Sequence, residues 1–156
     1  MPLIRSSLSD SDKYKRDYAL QAMAKMRPDE ARVTAKRWLV SDEDEKILAA
    51  AKCLASLGAK DNFVLIEASV DRLKEDYHRR ELVTSACALA AEKDVPALIA
   101  RLRKVSRDVD SADQIVGALT RLTGQHMGFI HEADRGKERR NEVVIGRWEK
   151  WLQKRS

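Results

Sequence analysis

Apolar residues recur every three or four positions through most of the chain, and short polar segments interrupt them. This period is typical of amphipathic α-helices that bury one face. The first apolar stripe consists of Tyr14, Tyr18, Ala22 and Met26. We therefore expect a first amphipathic helix near residues 11–26, with this stripe facing the core.

The same pattern predicts a series of helix pairs joined by turns. Pro28 suits the first turn of a helix, and Gly58 and Gly124 suit the ends of helices. We expect three helix pairs, a final opening helix, a loop and a basic capping helix, with the respective bounds 11–40, 42–74, 77–106, 110–124, 125–136 and 137–154.

Equivalent apolar positions in successive pairs indicate an internal repeat. Met23, Leu54, Leu89 and Leu119 align with separations of 31, 35 and 30 residues. Periods of this size are typical of helical solenoids. The pattern favours a short all-α solenoid of about three and a half pairs over the alternative, an ordinary helical bundle.

Composition agrees with one all-helical domain. The chain has 156 residues, of which 44% are hydrophobic, 35% charged and only 5% aromatic, with six glycines and three prolines. No apolar run reaches the roughly 20 residues that a membrane helix needs, and residues 1–10 lack the apolar core of a secretory signal. We expect a cytoplasmic protein that does not contact a membrane.

The net charge of +5 is concentrated at one end. Residues 1–134 contain 22 Lys and Arg against 22 Asp and Glu, whereas residues 135–156 contain eight basic and three acidic residues. The whole excess therefore falls on the predicted last helix. Trp148 and Trp151, three residues apart, are expected to form the apolar face of this helix and close the end of the stack.

Candidate metal ligands are grouped only weakly. His126 and His131 with Glu132 and Asp134 are the densest group, but the spacing of the histidines fits no structural zinc pattern. We interpret them as part of a loop packed on the last helix, and we expect no metal or other cofactor. Cys53 and Cys87 lie in alanine-rich runs, as buried free thiols do.

Other candidate catalytic groups have simpler interpretations. The acidic runs 42–45 and 108–113 precede apolar periodic segments, where carboxylates cap backbone N–H groups and complement the helix dipole. His78 is expected to be a solvated residue at a helix start, with no nucleophile beside it. No catalytic residues are assigned, and the chain is expected not to be an enzyme.

Several segments resemble short HEAT-like repeats, of the type also found in phycobilisome lyases, that occur in many bacterial proteins. Residues 51–58 and 94–98 are similar to a first-helix end and to a turn with the start of a second helix. Residues 122–129 and 147–151 are similar to the segment that closes many such arrays. The resemblance implies a right-handed armadillo-like superhelix whose second helices line a concave, protein-binding side.

The resemblance implies a non-enzymatic adaptor or scaffold whose partner is another protein. Basic residues on second helices would then lie in the concave groove, interrupted by acidic ones. The candidate partner-binding residues are Arg32, Lys36, Arg101 and Lys104.

Two alternatives remain open. The basic last helix favours a nucleic-acid-binding protein that contacts phosphates. Its candidate residues are Arg139, Arg140, Arg147 and Lys150. Some HEAT-like proteins act as lyases or chaperones on cofactor-bearing proteins, but no residue motif here carries that activity.

Overall fold

All of the described chain is helix, turn or irregular segment. A computed structural model describes the backbone of residues 2–128 and 138–155, and the side chains of residues 3–128 and 141–155. These ranges contain no strand, so the all-helical prediction is confirmed. The α-helices are α1 (Pro2–Ser7), α2 (Lys13–Met26), α3 (Pro28–Trp38), α4 (Asp44–Ser56), α5 (Phe63–Val70), α6 (Asp76–Leu89), α7 (Val95–Lys104), α8 (Val109–Thr123) and α9 (Glu138–Gln153).

Short 3-10 helices at Lys60–Asn62 and Glu92–Asp94 lead into α5 and α7. Helix α1 lies outside the predicted bounds, which begin at residue 11. Within the described ranges, none of the helices combines the length and the apolar character that crossing a bilayer requires.

Local sequence explains where individual helices begin and end. The carboxylate of Asp12 caps α2 by accepting a hydrogen bond of 2.8 Å from the N–H of Tyr14. Gly58 and Gly124 have φ angles of 60° and 68°, the left-handed conformation that glycine adopts without a steric cost. Both predicted helix ends are therefore confirmed.

The acidic runs also lie at helix starts. Asp44 and Glu45 occupy the first turn of α4, where negative charge complements the helix dipole. The backbone N–H just before α4, that of Glu43, donates to the hydroxyl of Ser41 at 3.2 Å rather than to a carboxylate. At the start of α8 the carboxylate of Asp108 accepts the hydroxyl of Ser111 at 2.7 Å.

The helices form two compact units, Met1–Leu89 and Ala90–Ser156. In the N-terminal unit α2 packs against α3 and α4, α4 packs against α3 and α6, and α5 packs against α6. Helices α2, α4 and α6 are the first helices of the predicted pairs, and here they are direct neighbours in that order. In the C-terminal unit α7 packs against both α8 and α9.

Large aliphatic side chains and small alanines fill the N-terminal core. Leu20, Leu54 and Leu82 are fully buried on α2, α4 and α6. Ala31 and Ala50 are also fully buried, and their small side chains let helix backbones approach closely. Cys53 and Cys87 are both buried, free thiols, as predicted.

The C-terminal core contains one fully buried indole among aliphatic side chains. Trp148 on α9 is fully buried, as are Ile145 on the same helix and Leu119 on α8. Trp151 is only half-buried and meets Trp148 edge-on, with 6.0 Å between the ring centroids. The prediction that the tryptophans of α9 form an apolar face is thus confirmed most fully for Trp148.

The predicted core face of α2 is wrong. Tyr14, Tyr18 and Met26 are 67%, 75% and 61% exposed, and the buried face instead contains Leu20 and Met23. Those two lie on the opposite side of the helix, since α-helical residues advance by about 100° each. The aliphatic face can be buried without leaving a polar group behind, whereas a buried tyrosine hydroxyl needs a hydrogen-bond partner.

Candidate ligand pocket on the first helices

A pocket of about 250 Å³ opens on the N-terminal unit where the N-terminal parts of α2, α4 and α6 lie side by side. We call it the tyrosine pocket. Its polar and aromatic lining consists of Lys13, Tyr14, Asp17, Glu45, Lys52, Tyr77 and His78, and Leu48 and Ala49 complete it.

Two exposed aromatic rings line the tyrosine pocket. Tyr14 is 67% exposed on α2 and Tyr77 is 62% exposed on α6. The ring of Tyr77 also meets that of His78, with 5.9 Å between the centroids. These rings sit on helices rather than loops, so their backbones are fixed before any ligand arrives.

Ion pairs between neighbouring helices border the pocket. The ammonium of Lys13 lies 3.4 Å from the carboxylate of Glu45, and that of Lys52 lies 2.8 Å from the carboxylate of Glu81. The pairs join α2 to α4 and α4 to α6. All four side chains are a third or more exposed, so each pair contributes only about 0.2–1 kcal/mol to stability.

Lys13 makes a second contact inside the tyrosine pocket. Its Nζ atom lies 5.5 Å from the centroid of the Tyr14 ring, within the range of a cation–π interaction. The chain's own ammonium group is therefore held between a tyrosine ring and the carboxylate of Glu45.

His78 is not the solvated residue that the sequence predicted. Its side chain is 18% exposed, and its Nδ1 atom lies 3.6 Å from Oδ2 of Asp44. That oxygen of Asp44 accepts a hydrogen bond of 2.9 Å from the backbone N–H of Lys74. The prediction failed because Asp44 lies 30 residues before Lys74 in the chain and meets Lys74 and His78 only when α4 packs against α6.

The carboxylates near the pocket favour their charged forms. Burial alone would raise the pKa of Asp44, but the N–H of Lys74 and the imidazole of His78 together lower this pKa below its usual value. The pKa of Glu45 is lowered chiefly by a hydrogen bond from its own backbone N–H, and further by Lys13. Both groups therefore remain ionised at neutral pH.

Asp17 differs from the other acidic residues of the tyrosine pocket. Its Oδ1 atom is buried and accepts no hydrogen bond from the described part of the protein. Burial, and secondarily the charge on Asp17, raises the pKa of the Cys53 thiol to about 11. A buried carboxylate oxygen without a donor is costly, so Asp17 is a group that a ligand could satisfy.

The four predicted groove residues are divided between the two units. Arg32 and Lys36 are exposed on α3 in the N-terminal unit, whereas Arg101 and Lys104 belong to α7 in the C-terminal unit. Arg101 is only 4% exposed, which contradicts its predicted role on an open surface. It lies between Leu98 and Leu102 on the buried face of α7, so helix periodicity carries it inward.

The alternative basic surface on α9 is only partly described. The backbones of Arg139 and Arg140 belong to α9, but their side chains lie outside the described residues. Lys150 is exposed, and Arg147 is exposed while donating to the carbonyl of Met127 at 3.0 Å. Arg147 thus helps hold the segment that follows α8.

Acidic residues interrupt the basic surface of α9. The guanidinium of Arg103 on α7 pairs with both Glu142 and Glu149 of α9, the second at 2.8 Å. This bridge connects two helices of the C-terminal unit.

A second pocket, of about 360 Å³, lies in the C-terminal unit and is lined by Pro96, Thr123 and Trp151 among others. The guanidinium of Arg155 already covers the Trp151 ring at 4.4 Å from its centroid. The aromatic surface of this pocket is therefore less available than that of the tyrosine pocket.

The predicted loop ligands are not brought together as far as the structure describes them. His126 is exposed, while His131, Glu132 and Asp134 lie outside the described residues. No three His, Cys, Asp or Glu side chains within the described ranges are grouped as metal ligands.

Comparison with known proteins returns no match from family models, from curated proteins or from solved structures. The resemblance to HEAT-like repeats therefore stays a prediction.

The pattern of apolar positions did not predict the residues of the tyrosine pocket. Tyr14 fitted an apolar stripe, and His78 fitted a polar helix start. One signal in the sequence could have pointed to the pocket. Tyr14 and Tyr77 each fall near the start of the first helix of a pair, so neighbouring pairs would bring them to one end of a row of first helices.

Proposed function

We propose that this protein is a non-enzymatic adaptor that binds a segment of another protein at the tyrosine pocket. The observation that carries the proposal is the pair of exposed rings of Tyr14 and Tyr77 at one pocket. Tyrosine is enriched in protein interfaces because its ring supplies a large contact area with few rotatable bonds.

The size of the pocket supports a partner side chain rather than a whole small molecule as the occupant. Its volume of about 250 Å³ lies below the roughly 300–1,000 Å³ of sites that enclose drug-sized ligands. A single large side chain fits such a volume. The partner's backbone would then lie across the exposed first turns of α2, α4 and α6.

We further propose that the helix pairs belong to a right-handed armadillo or HEAT-like superhelix. The direct packing of α2, α4 and α6 supports this, since first helices of successive pairs are neighbours in a solenoid. In this arrangement the working surface is on the first helices. Arg32 and Lys36 on α3 keep their proposed partner-binding role only as a secondary surface.

The test is affinity capture from native lysate followed by mass spectrometry, with two variants beside the unmodified protein. One carries Tyr14→Ser and Tyr77→Ser. The matched control carries Tyr18→Ser, which removes an equally exposed tyrosine of α2 outside the tyrosine pocket. We expect partners to be retained by the unmodified protein and the control but lost from the double variant.

Retention of the same proteins by all three forms would contradict the proposed site. Circular dichroism of each variant checks that the helices are intact, and we expect no change because the substituted side chains are exposed.

A second candidate function, nucleic-acid binding through α9, is favoured by the concentration of basic residues in 135–156. Phosphate binding through this helix would weaken steeply as salt increases. The residues to remove are Arg139, Arg140, Arg147 and Lys150. If neither duplex nor single-stranded nucleic acid shifts the protein at low salt, this function is excluded.

A further inference from the structure

We propose that the tyrosine pocket recognises a positively charged side chain of the partner, an arginine in particular. The inference rests on the proposed adaptor function and gives the chemistry of the segment that binds.

The charges that face the pocket favour a cationic ligand. Lys52 is already paired with Glu81 at 2.8 Å, and Lys13 is paired with Glu45 at 3.4 Å. Asp17 remains, with a buried Oδ1 that accepts no hydrogen bond from the described residues. Nδ1 of His78 is likewise buried without a hydrogen-bond partner among the described residues, but it lies 3.6 Å from the carboxylate of Asp44. Asp17 is therefore the lining carboxylate that lacks a donor, and a cationic donor forms the strongest bond to a carboxylate.

Lys13 shows that a cation is accommodated at this position. Its ammonium lies 5.5 Å from the centroid of the Tyr14 ring and close to the carboxylate of Glu45. Its side chain is 48% exposed, so water can solvate the ammonium when another cation replaces it. Breaking the interaction of Lys13 with this site therefore costs little free energy.

A guanidinium matches the pocket better than a second ammonium. It is planar, it stacks on an aromatic ring, and its fork of N–H groups can donate to two carboxylate oxygens at once. Tyr14 and Tyr77 offer rings, and Asp17 and Glu45 offer carboxylates, around one volume of about 250 Å³. An anionic ligand would instead meet these carboxylates.

The experiment uses the full chain labelled with nitrogen-15 and the blocked peptide Gly-Gly-Arg-Gly-Gly as the probe. The same peptide with citrulline in place of arginine has nearly the same shape without the charge. We expect saturable amide shifts confined to the segments of α2, α4 and α6 that line the tyrosine pocket with the arginine peptide, and an affinity at least about tenfold weaker with the citrulline peptide.

Two variants with opposite effects test the assignment of Asp17 and Lys13. Asp17→Asn should weaken binding of the arginine peptide about tenfold because it removes the unsatisfied charge. Lys13→Gln should strengthen binding several-fold because it removes the competing cation. Asp61→Asn, an exposed carboxylate of the same unit outside the tyrosine pocket, should leave the affinity unchanged.

The stability of Asp17→Asn separates a binding role from a structural one. Since Oδ1 of Asp17 has no described donor, the amide should leave the melting temperature unchanged or raise it. Equal affinity for the arginine and citrulline peptides, or shifts located elsewhere on the protein, would overturn the inference.

The adaptor and the arginine preference can fail separately. If the peptide does not bind but partner capture still requires Tyr14 and Tyr77, the inference of a cationic ligand is wrong and the adaptor proposal is still supported. If the arginine peptide binds as expected but capture does not depend on the two tyrosines, the pocket recognises cations and the adaptor site is wrong.

Discussion

In the N-terminal unit the rings of Tyr14, Tyr18 and Tyr77 are 62–75% exposed, whereas in the C-terminal unit the ring of Trp148 is fully buried. The N-terminal unit does not lack space for rings, because Phe63 is only 1% exposed there. The difference follows from what else each core offers. Helices α2, α4 and α6 already bury leucines and alanines, while α9 buries one large indole together with Val144 and Ile145.

The comparison indicates different uses for the aromatic residues. Trp148 supplies buried area that holds α9 to its unit, so we expect its removal to lower the stability of the protein. Tyr14 and Tyr77 add little to the core, so we expect their removal to weaken partner binding and to leave stability almost unchanged. Each of the following substitutions tests this contrast or refines it.

The largest effect is expected from Trp148→Ala. Removing a fully buried indole leaves a cavity and should lower the free energy of unfolding by about 3–5 kcal/mol. Tyr77→Ala should change it by less than about 0.5–1 kcal/mol, because the ring is exposed. Urea unfolding followed by circular dichroism measures both. Equal losses of unfolding free energy for the two variants would contradict the contrast between the buried indole and the exposed tyrosine.

Substitution of Gly124 should have the next largest effect. Its φ of 68° is left-handed, so Gly124→Ala should destabilise the protein by about 1–2 kcal/mol through backbone strain alone, since no atom crowds the new methyl group. Gly117→Ala is the matched control on the exposed face of α8. It should stabilise by about 0.5–1 kcal/mol, because alanine favours helix. Thermal unfolding that moves both variants in the same direction would contradict these conformations.

Asp44→Asn tests whether the pocket end of the N-terminal unit also contributes to stability. The pKa of Asp44 is lowered on folding, so its charge stabilises the protein above the unfolded value near 3.8. This contribution is lost as the pH falls through the lower folded-state pKa. We expect Asp44→Asn to cost about 1 kcal/mol at pH 7 and nothing measurable near pH 2.

The pH dependence of that difference is the decisive measurement, obtained from unfolding curves of both proteins between pH 2 and pH 7. A constant difference across this range would mean that the charge of Asp44 does not stabilise the fold.

The smallest effect is expected from Arg103→Gln, which removes the bridge from α7 to Glu142 and Glu149. The partners are partly exposed, so the loss should be about 0.2–1 kcal/mol and should shrink as salt increases. Arg107→Gln removes the same charge from an exposed site and serves as the control. If both variants lose the same stability, net charge rather than the bridge is responsible.

Local sequence was sufficient to predict the class of the fold and several helix ends. Helices α2 to α9 lie in the segments that the sequence predicts to be helical, and glycine at 58 and 124 marks positions that require a left-handed φ. Such features depend on residues within one turn of each other. They can therefore be predicted without knowing which helices pack against each other.

The proposed binding surface could be identified only from the tertiary structure. Periodicity placed Tyr14 in the core, and the HEAT-like resemblance placed Arg101 on a concave surface, but Tyr14 is exposed and Arg101 is buried. A helix buries whichever face its neighbours fit. Likewise, Asp44 meets His78 only after α4 packs against α6. The sequence by itself determined that this chain forms helices, and packing between helices determined which side chains remain free to bind a partner.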